Sequence, residues 1–147
     1  MTAIVVDTNA VIWFLSEPSQ LSVAAKNIMS SAVLNGSSIF IPSITVVELI
    51  YLTEKGKIAK PVLDRLISAL SNSEYAFDLM PLNFEIAQVV QQVPRYAVPD
   101  LPDRVITATA MYLNLVLVTK DQKIPIVMRL ENAQNSQTLL VKPSNLR

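Results

Sequence analysis

Ile4-Val5-Val6-Asp7-Thr8-Asn9 is the stretch on which the reading of this chain turns. Three branched apolar residues end abruptly in an acid and two small polar residues, and a helical pattern from Ala10 to Leu15 follows at once. A short apolar run bounded in this way fits a strand buried on both faces, as in a parallel sheet. Asp7 then sits at the strand's carboxyl end, the rim where open parallel sheets bind their ligands. Taken alone the residue has an ordinary alternative, because Asp after a strand is commonly a helix cap.

The same alternation continues on either side of the next punctuation marks. A helix is expected from about Leu21 to Leu34, with Val23, Ile28 and Val33 among its apolar positions and Asn35-Gly36 closing it. Ser38 to Pro42 reads as a second buried strand, and a third helix is expected over Val46–Thr53, ending at Glu54-Lys55-Gly56-Lys57. Pro61 opens a fourth helix through Leu70. Tyr75–Met80 alternates more than the other strands, which places it at a sheet edge. A helix from Phe84 to about Val93 precedes Pro94–Pro102, which holds three of the nine prolines and so reads as a loop. A helix from about Pro102 to Leu113 follows, and its run Thr107-Ala108-Thr109-Ala110 is small enough to pack closely on a sheet. Leu115–Val118 is a fourth strand leading into Thr119-Lys120-Asp121, and Thr138–Val141 a last short one. Strands alternating with helices predict a three-layer α/β/α fold, a central, mainly parallel sheet of four to five strands, in one domain over residues 1–147.

Composition narrows the chemistry. With 51% hydrophobic and 16% charged residues the chain is globular rather than disordered. No apolar run reaches membrane-spanning length, and the first residues lack the pattern of a secretory signal. Cysteine is absent, which excludes disulfides and thiolate chemistry and fits a cytoplasmic protein. Histidine is absent too, which removes imidazole bases, Ser-His-Asp and Cys-His pairs, and zinc sites built on His or Cys. The two glycines, Gly36 and Gly56, cannot form a phosphate-binding loop or a dinucleotide fingerprint. Twelve basic and twelve acidic residues cancel, so nucleic-acid binding would need a local patch. Acid–base or metal chemistry here falls to carboxylates.

Four acids are candidates. Asp7 and Asp121 follow strands, Asp103 begins a helix three residues after Asp100, and Glu48 lies in a nearly all-apolar helical run, Ile44 to Leu52. Each has a plain structural reading: Asp121 as a turn residue, Glu48 as the solvated position of a buried helix, Asp100 as N-cap with Asp103 in the first turn. Jointly they carry more, since strand ends and helix starts share one rim of a parallel sheet. Two like charges at ~4 Å cost about 4 kcal/mol at an effective dielectric near 20, so such a cluster calls for a cation. Hard oxygen ligands suit Mg²⁺ or Mn²⁺, which can generate hydroxide from water and stabilise an in-line phosphoryl displacement.

The motifs Val6-Asp7-Thr8-Asn9, Ile41-Pro42-Ser43-Ile44-Thr45-Val46-Val47-Glu48, Asp103-Arg104-Val105-Ile106-Thr107-Ala108-Thr109-Ala110 and Val118-Thr119-Lys120-Asp121 occur in this order. In that set the sequence resembles the PIN-domain ribonucleases, and within them the small VapC-type toxins of bacterial toxin–antitoxin pairs. The resemblance implies a Mg²⁺- or Mn²⁺-dependent endoribonuclease with Asp7, Glu48, Asp103 and Asp121 as metal ligands, directly or through water. It implies that Thr8, Asn9 and Thr119 orient those ligands, with Asp100 a cap first and an auxiliary ligand second. A homodimer and a cognate antitoxin, seated in a groove near the active site, are implied as well. Arg104, Lys120 and Lys123 adjoin the expected pocket and could hold RNA phosphates. Trp13 and Phe14 read as core or dimer contacts, Tyr51, Tyr96 and Tyr112 as partly buried, and Lys55, Lys57 and Lys60 as a solvated face. Two other readings stand beside this one. A Mg²⁺ phosphotransferase of the haloacid-dehalogenase type also begins with a strand ending in Asp, although Asn9 stands where its second Asp belongs. A non-catalytic protein-binding module would use the acids only as caps.

Overall fold

β1 (Ile4–Val6) is the central strand of a five-stranded sheet, and all four of its strand pairings are parallel. The computed structural model describes residues 3–72 and 75–119, together with the backbone of residues 140–141. β2 (Ile39–Pro42) and β3 (Phe77–Met80) lie on one side of β1, and β4 (Val116–Val118) and β5 (Leu140–Val141) on the other, in the order β3-β2-β1-β4-β5. Val5 stands opposite Phe40 in β2 and Leu117 in β4. Three successive apolar residues suit this position because alternate side chains enter opposite layers. Ile4 and Val6 join one core with Ile39, Ile41, Met29 and Leu66, while Val5 joins another with Ile86, Ile106 and Leu117. The three-layer parallel architecture expected from the sequence is the one found, with β3 at an edge.

The helices are α1 (Thr8–Ser16), α2 (Val23–Leu34), α3 (Ser43–Glu54), α4 (Lys60–Ser71), α5 (Phe84–Val89) and α6 (Leu101–Leu113). A 3-10 turn, Val90–Gln92, prolongs α5 to nearly the length expected of it. Two details of the helices differ from the expectation, and the first bears on the rim. α3 begins at Ser43, three residues early, because Pro42 ends β2 and caps the helix with no intervening loop. The Ser43 hydroxyl accepts the Leu82 N–H at 3.0 Å, tying the start of α3 to the segment after β3. In α2 the buried positions are Ala25, Met29 and Ala32, spaced as one helical stripe. Val23 and Val33 fall off that stripe and are exposed. α6 behaves as its small residues suggest, with Val105 through Ala110 all buried. It ends at Asn114, whose φ of 55° is the left-handed conformation that Asn tolerates in place of Gly.

Aromatic side chains sort into two groups. Trp13 and Phe14 pack against the first core, and the Phe14 ring sits 6.1 Å from that of Phe77. Tyr51, Tyr96 and Tyr112 are exposed, at 59%, 82% and 44% of their surface, rather than partly buried as expected. Each lies on the outward side of its segment, where water can reach the phenol oxygen. Among the described residues no helix is long and apolar enough to cross a membrane.

Candidate active site at the carboxyl rim of the sheet

The chain leaves β1 at Asp7, whose N–H still donates to the Val118 carbonyl of β4 at 3.0 Å. That bond extends the parallel ladder by one residue and fixes the Asp7 backbone on the rim. Its side chain is buried, with 4% exposure. One carboxylate oxygen, Oδ1, accepts the Ala10 N–H at 2.8 Å and so caps α1; the other, Oδ2, accepts the Thr119 hydroxyl at 2.6 Å. Thr119 is the first residue after β4 and is itself fully enclosed. Two adjacent parallel strands thus end in an acid and a hydroxyl bonded to each other.

Thr8, the next residue, is the first of α1 and reaches across to α3. Its hydroxyl donates to Glu48 Oε1 at 2.5 Å, and its oxygen also lies 3.3 Å from Thr45 Oγ1. The early start of α3 sets this up: Thr45 and Glu48, three residues apart, share one helix face over the rim. Burial pushes the Glu48 carboxyl above its usual range, and the charges of Asp100 and Asp7 push the same way, while the Thr8 hydrogen bond pulls it back. Asp7 and Asp100 are thus both near enough to Glu48 for their charges to act on it. Asn9 follows in the first turn of α1, half-buried.

Asp100 is the N-cap of α6, its Oδ2 accepting the Asp103 N–H at 3.3 Å. Asp103 lies in the first turn, half-buried, and α6 packs against α3, α5 and β1. Arg104, expected to face RNA, instead donates from Nη2 to the carbonyls of Val90 and Val93, both at 2.9 Å. Lys120, Asp121 and Lys123 lie outside the described residues. Among the described residues no three acids form a ready-made metal-binding group. The donors that do face the rim are carboxylate and hydroxyl oxygens, a set chemically matched to a hard divalent cation.

Thr45 is the residue that sequence reasoning passed over. It is fully buried although polar, and its spacing from Glu48 was the available signal. Thr119 offers a direct test of the rim's internal bonding. Thr119→Val is expected to remove one donor from a buried carboxylate and lower stability by about 1–3 kcal/mol. Urea unfolding measures this, and Thr119→Ser should restore most of the loss; equal midpoints for wild type and Thr119→Val would count against the bond.

Comparison with known proteins agrees with this fold. The PIN domain profile matches residues 4–129. The chain belongs to the PIN-domain family. A relative, Ribonuclease VapC22 of Mycobacterium tuberculosis, is 31% identical to this PIN domain over 126 residues, 84% of this chain and 91% of that protein. Among solved structures, FitAcB of Neisseria gonorrhoeae superposes with a TM-score of 0.65 at 21% identity, covering 99% of this chain and all of that one. VapBC2 of Rickettsia felis, bound to a DNA fragment from its promoter, gives 0.64 at 18% identity over 97% of this chain and 98% of that one. A toxin–antitoxin complex from Klebsiella pneumoniae gives 0.61 at 23% identity, over 92% and 95% of the two chains.

Away from the rim, a groove of about 610 Å³ opens between α1, α2, α4 and the start of β3. Phe14, Leu15, Val33, Tyr75 and Phe77 line it, and Arg65 stands at its side with Nη1 donating to the Leu15 carbonyl at 2.7 Å.

Proposed function

We propose that this PIN domain is a Mg²⁺- or Mn²⁺-dependent endoribonuclease and the toxin of a toxin–antitoxin pair. The observation that carries the reading is the pairing of buried Asp7 with Thr119 beside Glu48 with Thr8, at the carboxyl rim of a parallel sheet. In it, Asp7, Glu48 and Asp103, with Asp121, would hold the ion, and Asp100 would stand behind them. The bound ion would supply hydroxide near neutral pH and offset charge on the phosphoryl oxygens. The chain's own residues do the rest. Thr119 fixes one oxygen of Asp7 and Thr8 fixes one of Glu48, so each carboxylate keeps a defined orientation. Lys120 and Lys123 are the cations this reading sets against RNA phosphates.

The similarity to a protein named as a ribonuclease, and to chains solved in toxin–antitoxin complexes, supports the reading of a toxin with an antitoxin partner. This reading seats an antitoxin segment in a groove near the active site. A second copy of the chain would cover exposed apolar side chains on α3 and α5, such as Val47, Tyr51 and Phe84.

The test is RNA cleavage by protein stripped with a chelator and then titrated with Mn²⁺ or Mg²⁺. Wild type is expected to be silent when stripped and active when reloaded, and Asp103→Asn to stay silent throughout. Hydrolysis of a phosphomonoester without RNA cleavage would transfer the site to phosphotransferase chemistry. No cleavage, together with a melting curve that saturating Mn²⁺ leaves unmoved, would make the chain a binding module.

A further inference from the structure

The loop between α5 and α6, residues 94–100, delivers Asp100 and Asp103 to the rim, and the Arg104 side chain, from the first turn of α6, holds its entry. At the entry, Arg104 Nη2 donates to the carbonyls of Val90 and Val93, each at 2.9 Å. At the exit, the Arg104 backbone N–H donates to the Asp100 carbonyl at 3.0 Å. Val93 at the entry and Val98 within the loop are fully buried in the second core, so the loop is anchored at one further point between those ends. Within it, Ala97 and Val98 both donate to the Pro94 carbonyl, at 3.1 and 3.0 Å, which closes a turn. A guanidinium at the carbonyl end of α5 and its 3-10 extension also meets the negative end of that helix.

We infer that Arg104 is a positioning residue, a clamp on this loop that holds Asp100 and Asp103 on the rim, and that it is not a phosphate ligand. The donor geometry excludes the usual phosphate contact. A bidentate fork uses Nη1 with Nη2 or Nε with Nη2, and both hydrogens of Nη2 are committed to carbonyls. Nε is buried and has no acceptor among the described residues. The charge serves the carboxylates indirectly, by fixing the backbone that carries them. The loop clamp stands on the hydrogen bonds alone; its consequence for the ion rests on the nuclease reading.

Two variants test it: Arg104→Met keeps the apolar stem and removes every side-chain donor, and Arg104→Lys keeps the charge but shortens and reshapes the donor. Amide hydrogen exchange of residues 93–100, read against the amides of β1, is measured without metal. The Mn²⁺ midpoint of thermal stabilisation is measured next, then kcat, KM and its salt dependence on a short RNA. In Arg104→Met, loop exchange is expected to quicken while β1 stays protected. Its Mn²⁺ midpoint should rise and kcat fall about ten- to a hundredfold, the range seen when groups behind metal ligands are lost. KM for RNA and its salt slope should not change. Arg104→Lys should fall between, and it carries the same test should Arg104→Met fail to fold. A raised KM with a salt slope lower by about one, and unchanged loop exchange, would make Arg104 a phosphate ligand and overturn the inference. Equal loop exchange in wild type and variants would overturn the clamp. A wild type that neither cleaves RNA nor responds to Mn²⁺ sinks the nuclease reading and the ion-directed half of the inference, while loop exchange still decides the clamp.

Discussion

Replacing Asp7 with Asn is expected to abolish RNA cleavage and leave the metal-free protein at least as stable as wild type. The two effects separate because the side chain has two jobs on two atoms. Oδ1 caps α1 through the Ala10 N–H, and Asn caps a helix as well as Asp does. Oδ2 accepts from Thr119, and a hydroxyl can turn to accept from an amide just as it donates to a carboxylate. What Asn removes is the charge. Without metal that charge pushes against Glu48. With metal it is a ligand, and losing a share of an ion's charge stabilisation costs several kcal/mol in the transition state. At about 1.4 kcal/mol per factor of ten, cleavage should fall roughly a thousandfold or more. Calorimetry with and without Mn²⁺ checks the separation: the Mn²⁺-induced rise in Tm should vanish while the metal-free Tm holds. Cleavage within tenfold of wild type would remove Asp7 from the catalytic site.

That double use of Asp7 also explains how far the sequence could be read. Treating the residue as either a cap or a ligand set up a choice the fold does not make, because one carboxylate has room for a cap bond and a rim bond at once. The strand–acid–helix order, the parallel sheet and the shared rim were legible because they follow from hydrophobic period and chain direction, both local. Glu48 was legible as an acid in an apolar run that needed a partner; that its partner is Thr8, forty residues away, was not. Thr45 was missed because a buried threonine in a helix looks like any core position until a neighbouring element brings a hydroxyl to it. Arg104 was read from its neighbour Asp103, yet its guanidinium goes back to carbonyls eleven and fourteen residues earlier. The outward tyrosines and the true buried stripe of α2 depend on helix rotation, which a weakly amphipathic sequence leaves open.

Glu48→Gln is expected to make the metal-free protein more stable near neutral pH and to cost roughly three orders of magnitude in cleavage, by the same ligand argument. The sign follows from the raised carboxyl. Burial, and then the charges of Asp100 and Asp7, lift Glu48 above its ordinary 4.5, so the folded state holds this proton more tightly than the unfolded chain. Stability from such a group is complete below the unfolded value and is lost as pH rises through the folded one. At neutral pH the ionised Glu48 is therefore a net cost to the metal-free fold, which the Thr8 hydroxyl only partly offsets. Gln keeps an acceptor for Thr8 and never ionises. The gap in Tm between variant and wild type should be small near pH 4 and widen in favour of Gln as pH climbs toward 7. Saturating Mn²⁺ should reverse it, because the ion stabilises the wild type and finds no anion in the variant. A gap that stays constant with pH would mean that Glu48 is solvated and its neighbours do not reach it. The rim would then be a set of separate caps, and the stability given up there would have no catalytic return.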